Sequence, residues 1–264
     1  MNEIISKIDG LVARSSGVWI KQKYYYLKRY LDIFSKGMKN KWNLTYIDLF
    51  AGPARCLIET NNLEEEGSPL IALQHNFSKY VFVEESIELI DTLEKRCKDS
   101  PKFSSIRFLK GDCNNIIDNI IPEIDSAGLN LIFIDPTGID IHYETIEKLV
   151  KGKRADLLIN VQLGIDITRN FLTYKKEGDN SKLGLFLGGN VNWDKLNSPQ
   201  DAVKLYKERI KKLGYDTVEF KDIAIKNTRN APMYFLLFAS KNPRGLDFWK
   251  KITKKDPSGQ LEWL

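Results

Sequence analysis

The sequence predicts an α/β protein: a largely parallel sheet with helices on both faces, finished by an antiparallel hairpin. Three observations predict it. Short runs rich in Val, Ile, Leu, Phe and Tyr alternate with helical patterns along the chain. Several of these runs are apolar on both faces, as strands inside a helix-covered sheet must be. Finally, no helix fits between the last two β-prone runs, so they must pair antiparallel.

The strands read as Leu44–Phe50, Tyr80–Glu84, Ile106–Lys110, Leu129–Ile134, Ala155–Gln162 and Met233–Ala239, with Asp216–Ala224 as the other arm of the hairpin. The first helix spans Trp19–Met38. Tyr24, Leu27, Leu31, Phe34 and Met38 share one stripe at helical spacing, and Lys21, Lys28, Lys36 and Lys39 share the neighbouring face. A helix over 86–97 turns Ile90, Leu93 and Cys97 inward. Another starts at the cap Ser198 with Pro199 in its first turn and stops at Gly214, burying Val203, Tyr206, Ile210 and Leu213.

The 264 residues suffice for one sizeable domain, and no repeat or linker divides them. Charge divides them instead. Residues 1–46 carry nine Lys/Arg against three Asp/Glu and residues 241–256 carry six against two, whereas 47–240 carry 25 against 29. We therefore expect a basic helical extension (1–43), a ligand-binding body (44–240) and a basic C-terminal segment (241–264). Basic ends on an acidic body are an electrostatic footprint for a polyanion, so nucleic acid is the expected partner. No run reaches the ~20 apolar residues of a membrane span, and the first residues lack a secretory h-region, which predicts a cytoplasmic protein. Cys56, Cys97 and Cys113 lie far apart, and there are two histidines, so neither a disulfide framework nor a metal site is expected.

Four strand-end constellations carry chemistry. The first is Tyr46-Ile-Asp-Leu-Phe-Ala-Gly-Pro53, a strand ending in Asp48 and then the small-residue bend Phe50, Ala51, Gly52, Pro53. Open α/β sheets bind ligands at the carboxyl ends of their strands, and the first strand supplies the tight turn. There Asp48 can meet the amino group of a bound S-adenosylmethionine (SAM), directly or through water. Glu84, closing the second strand, suits vicinal ribose hydroxyls. Gly111-Asp112-Cys113 places an acid and a backbone N–H beside an adenine, although the same turn can cap the helix that follows. The fourth, Leu131-Ile-Phe-Ile-Asp135-Pro136-Thr137-Gly138, sets a carboxylate and stiffened carbonyls where a transferable methyl points. Asp135 and Pro136 are the catalytic candidates. Thr137 and His142 can line the substrate mouth, and Lys21, Lys23 and Lys28 of the basic first helix can meet substrate phosphates. Asn160, Gln162 and Asp166 are further rim candidates. The closing hairpin and Asp-Pro-Thr-Gly fit a SAM-dependent methyltransferase better than a nicotinamide dehydrogenase.

At these residues the chain resembles the three-Cys-motif partner proteins (TcmP), a bacterial and archaeal family with a class I methyltransferase-like domain. Lys23 and Tyr30-Leu31, Tyr46 to Pro53, Gly67-Ser-Pro-Leu70, Phe133-Ile-Asp-Pro136 with Gly138, Asp247-Phe-Trp-Lys-Lys-Ile252 and Gly259-Gln260 carry the resemblance. It implies a Rossmann-like sheet of order 3-2-1-4-5-7-6 with the last strand antiparallel, SAM as cofactor and a protein partner bearing a cysteine motif. Two departures stand out. Ala54 replaces the glycine that usually ends the turn, and an alanine does not take positive φ cheaply. Thr137-Gly138 removes the second proline and the aromatic ring with which nucleic-acid amino-methyltransferases stack a flipped base. The expected activity is methyl transfer from SAM, with a SAM-binding subunit of a partner complex as the alternative.

Overall fold

The computed structural model describes residues 3–162, 166–215, 221–226 and 232–255. Along the chain run β1 (Glu3–Ile5), β2 (Val12–Ser16), α1 (Ile20–Met38), β3 (Leu44–Asp48), β4 (Arg55–Ile58), β5 (Leu63–Glu66), α2 (Ser68–Leu73), β6 (Lys79–Glu84), α3 (Ile87–Cys97) and β7 (Ile106–Lys110). Then follow α4 (Ile117–Ile120), β8 (Leu129–Ile134), α5 (Tyr143–Val150), β9 (Ala155–Val161), α6 (Thr168–Glu177), α7 (Lys182–Leu187), α8 (Pro199–Ile210), β10 (Lys221–Lys226), β11 (Pro232–Ala239) and α9 (Pro243–Ile252).

Seven strands form the main sheet in the order β10-β11-β9-β8-β3-β6-β7. The pairs β9·β8, β8·β3, β3·β6 and β6·β7 are parallel; β11 lies antiparallel to β9 and to β10. Counted by strand in this sheet, the order is 3-2-1-4-5-7-6, the class I methyltransferase arrangement, and the closing hairpin is the one the sequence required. The arm expected over 216–224 is a strand from Lys221; residues 216–220 lie outside the described residues, as do Gly259 and Gln260.

Each central strand is buried on both faces, and alternate residues feed two cores. Ile47, Val81, Val83, Ile132 and Ile134 pack with α4, α5, α7 and α8. Tyr46, Tyr80, Phe82, Leu131 and Phe133 pack on the other side with α1, α2 and α9. The expected stripe of α1 is buried throughout, and Lys21, Lys28, Lys36 and Lys39 face solvent. Helix α8 is capped by the Ser198 hydroxyl, which accepts from the Asp201 N–H. Its last turn loosens over Lys211–Tyr215, where Gly214 takes φ 92°.

One expectation for the chain ends needs correction. Residues 1–43 are not simply helical: β1 and β2 precede α1 and join a second sheet of order β1-β2-β4-β5. The insertion after the ligand turn supplies the partners, with β2 parallel to β4 and β4 antiparallel to β5. Alternation of apolar residues over three to five positions was too short to register as strand. Of the basic C-terminal segment, residues 241–255 are described. α9 packs on α1, with Trp249 fully buried and stacked on Phe238 at 4.8 Å and 13°. The basic helices α1 and α9 thus adjoin on one face. Trp249→Ala is expected to cost about 3–5 kcal/mol by leaving a cavity between α9 and β11, measurable by urea denaturation. A cost below 1 kcal/mol would mean that α9 does not close this core.

Candidate active site at the carboxyl ends of the strands

The bend after β3 is held from several sides. Leu49 N–H donates to the Phe133 carbonyl at 3.1 Å, and Ala51 N–H to the Val83 carbonyl at 2.9 Å, so the turn is stitched to both neighbouring strands. Gly52, at φ +61°, donates its N–H to Glu84 Oε2 at 2.8 Å. Arg96 of α3 donates to the carbonyls of Pro53 and Val12 and to both oxygens of Asp9. One guanidinium therefore clamps the small sheet against the ligand turn, and it holds the Asp9 carboxyl well below the usual carboxylate range.

Two adjoining cavities open here. The inner one, about 350 Å³, is lined by Leu49, Phe50, Glu84, Glu85, Asp112, Asn114, Asp140, His142 and Lys182. The outer one, about 480 Å³, is lined by the turn Phe50–Ala54, by Trp19, Lys23, Tyr24 and Tyr234, and by Pro136, Asn160 and Gln162. Arg14, Phe50, Asp135 and Thr137 border both. Asp135 thus stands at the junction, and Pro136 and Thr137 follow it along the outer wall.

The expected residues fall into three groups. Phe50, Ala51, Gly52, Pro53, Glu84, Asp112, Asp135, Pro136, Thr137 and His142 line one cavity or both. Asp48 and Cys113 do not: both are buried in the protein, at 0% and 2% exposure. Direct contact of Asp48 with a ligand is therefore not what this arrangement offers. Its carboxyl is turned into the loop, accepting from the Phe50 N–H at 3.2 Å and the Tyr46 hydroxyl at 3.3 Å. Burial pushes its pKa up to about 7, with the Asp135 charge adding to the rise and hydrogen bonds from Ser68, Phe50 and Tyr46 opposing it.

The basic helix separates in the same way. Lys28 is exposed, and Lys21 is exposed and 3.3 Å from Glu65. Lys23 is buried and ion-paired to Asp135 Oδ2, so it belongs to the strand-end site and not to a phosphate-facing surface. The other oxygen, Oδ1, accepts from Asn160 Nδ2 at 2.6 Å. Gln162 Nε2 donates to the Pro136 carbonyl at 3.1 Å. With both amide nitrogens committed, Asn160 Oδ1 and Gln162 Oε1 are left buried without a partner among the described residues.

Asp112 accepts from the N–H and side-chain amide of Asn114 and from the Asn115 amide, each at 3.0 Å. It ties its own turn together while it lines the cavity, and it does not cap α4, whose N-cap position is Ile116. Gly138 has a steric reason. A Cβ there would stand 2.4 Å from Asp166 Oδ2 and 3.0 Å from Lys182 Nζ. Asp166 in turn accepts from Ile139 N–H at 3.0 Å and the Tyr174 hydroxyl at 2.6 Å. A side chain at 138 would have to displace the ends of the Asp166, Lys182 and Asp140 side chains. Arg14, Trp19, Tyr24 and Tyr234 were missed as site residues. Nothing in their local pattern marks them, because they lie outside the carboxyl strand ends of the main sheet and far in sequence from Asp135.

The sheet order and the strand-end site define a class I methyltransferase-like fold. No protein-family model and no curated protein matches the chain. Among solved structures, a Legionella pneumophila protein described as family-model DUF519 superposes with TM-score 0.57 at 12% identity, over 94% of this chain and 96% of that one. The M. jannaschii TYW2 solved with AdoMet gives TM-score 0.46 at 13% identity, over 90% and 84%. The Bacillus cereus O-methyltransferase solved with SAH gives 0.47 at 12%, over 81% and 80%. The first of these establishes likeness of fold alone. Among the described residues, no group of three or more His, Cys, Asp or Glu is placed to hold a metal, and no helix is long and apolar enough to cross a membrane.

Two predictions follow from the turn. Ala54 adopts φ +66°, the glycine conformation, despite its Cβ. Ala54→Gly should raise stability by up to about 1 kcal/mol, since an L-residue pays roughly 1–2 kcal/mol there and glycine returns part as chain entropy; an unchanged or lower melting temperature would contradict this. For Asp48, the folded state favours the neutral carboxyl. Its contribution is greatest below the ordinary value of 3.8 and is lost as pH rises towards about 7. The stability of Asp48→Asn relative to wild type should therefore climb between pH 4 and pH 7 and level off above. A flat difference across that range would remove Asp48 as the titrating group.

Proposed function

We propose that this chain is a SAM-dependent methyltransferase, and that nucleic acid is its substrate. The observation that carries the first part is Asp135-Pro136 at the junction of two cavities, on the strand next to the ligand turn of a class I sheet. The residues fit the cofactor. The inner cavity carries Glu84, Glu85, Asp112, Asp135 and Asp140 against Arg14 and Lys182, and such a lining suits a sulfonium cation. Glu84 would take the ribose hydroxyls, and Asp112 and Asn114 would face the adenine. When bound, the cofactor supplies an electrophilic methyl group.

This chain's own residues then orient the nucleophile. Asp135 is fixed by Lys23 and Asn160, and Gln162 fixes the Pro136 carbonyl, so the acceptors are set before substrate arrives. The unpartnered oxygens of Asn160 and Gln162 favour a substrate that donates N–H, since a buried acceptor without a donor costs about 1–3 kcal/mol. The nucleic-acid reading is supported by the meeting of the basic ends. Lys28, Arg29, Lys36 and Lys251 border a groove between α1 and α9 that also holds Phe248.

A second reading has its own observation. Gly138, crowded by Asp166, Lys182 and Asp140, carries no ring to clamp a flipped base, which favours a methyltransferase-like subunit completed by another protein. The resemblance to the TcmP family points the same way.

Labelled SAM incubated with DNA, RNA and cell protein separates these readings. The purified chain should label nucleic acid, and Asp135→Asn should lower the rate by roughly 10²-fold or more without loss of fold. Transfer unchanged in that variant would remove Asp135 from the mechanism. Label appearing only after extract is added would favour the partner-dependent subunit. Nucleic-acid affinity should fall steeply as salt rises; insensitivity to salt would rule out phosphate contacts by the α1–α9 face.

A further inference from the structure

We propose that Arg14 binds the carboxylate of the cofactor's methionine moiety, and that it does so by leaving Glu84. This rests on the cofactor reading above and adds to it a residue from outside the seven-stranded sheet.

S-adenosylmethionine is a cation overall, but one end is a carboxylate. An acid-rich cavity welcomes the sulfonium and the ammonium and repels that carboxylate, so one cation must be free to meet it. Among the described residues, the lysines and arginines that line the two cavities are Arg14, Lys23 and Lys182. Lys23 is committed to Asp135, with both side chains nearly closed off at 10% and 12% exposure. Lys182 sits 2.6 Å from Asp140 and 3.5 Å from Asp166.

Arg14 is different. Among the described residues its one ion-pair contact is Nη2 to Glu84 Oε1 at 3.5 Å, the outer limit of a hydrogen bond, and the side chain is 22% exposed. A guanidinium has five N–H donors in a fork that matches a carboxylate edge to edge. One long contact leaves most of that capacity unused.

Position agrees with chemistry. Arg14 borders both cavities, and its guanidinium carbon stands 3.6 Å from where a Cβ on Gly52 would lie. It therefore covers the glycine of the ligand turn. It is held there by register, because β2 pairs with β4 through Arg14 opposite Cys56. Glu84 Oε2 already accepts from Gly52 N–H and Oε1 from Ser86 N–H at 3.1 Å. A ribose diol arriving at this carboxyl displaces the weakest of its partners, which is Arg14. The released guanidinium then pairs with the cofactor's carboxylate, so its charge is matched in both states.

Calorimetry on the full chain tests this with two probes: S-adenosylhomocysteine, which keeps the amino-acid end, and 5′-methylthioadenosine, which lacks it. Arg14→Gln should weaken S-adenosylhomocysteine by about tenfold to a hundredfold, the size of a hydrogen bond to a charged group. It should leave methylthioadenosine unchanged or bound more tightly, because Glu84 is freed. Arg14→Lys should recover part of the lost affinity, and its melting curve guards against misfolding of the first variant. Equal weakening of both probes, or of neither, overturns the role of Arg14 while the cofactor reading stands. If wild type binds neither probe, the cofactor reading fails and this one fails with it.

Discussion

Carboxylates at the ends of adjacent parallel strands are forced into one small volume. Asp48, Glu84 and Asp135 close three neighbouring strands, and Asp112 follows a fourth. The strand spacing of ~4.8 Å sets how far apart such groups can be, and burial withholds the water that would screen them. Much of the remaining structure answers this charge. Backbone N–H groups of the turn point at Asp48 and Glu84, Lys23 comes from α1 to Asp135, and Arg14 comes from β2 to Glu84. Asp48, which receives no cation, is pushed towards its neutral form.

The elements outside the seven-stranded sheet make sense in these terms. The N-terminal strands and the β4–β5 insertion form a second sheet that forms part of the wall of the outer cavity and carries Arg14 to its rim. Arg96 fastens that sheet to the Pro53 carbonyl and so ties the wall to the ligand turn. α1 supplies Lys23 from its first turns and is anchored further along by Tyr30, whose hydroxyl donates to Asp156 at 2.6 Å. α9 then closes the same face through Trp249. The basic helices α1 and α9 are therefore structural members first, and their outward Lys28, Arg29, Lys36 and Lys251 line the groove.

Two local features tune the site. At Gly138, the Asp166–Lys182–Asp140 cluster takes the space that a side chain needs. At Asn160 and Gln162, hydrogen bonds to Asp135 and Pro136 fix which way each amide faces and leave the oxygens over. Position and residue type here depend on each other, since replacing either amide by an apolar side chain would also release the group it holds.

By itself the sequence determined the main sheet and its ligand edge. A strand buried on both faces must be apolar at every position, and a sharp bend needs small residues, so Leu129–Ile134 and Asp48–Pro53 are legible without a fold. The closing hairpin was legible because no helix fits before Pro232. The stripe of α1 was legible because helical periodicity extends over nineteen residues. Only the tertiary structure decided that Lys23 faces Asp135 and not a phosphate, that Asp48 faces the loop and not a ligand, and that Arg14 faces Glu84. Those pairings join residues 112, 2 and 70 positions apart or within one turn. A charged residue's partner is set by which elements pack together, and local periodicity records burial without recording that neighbour. The strands of residues 3–16 escaped for a related reason: they are short, and β2, which carries β1 with it, pairs with an insertion about forty residues further along.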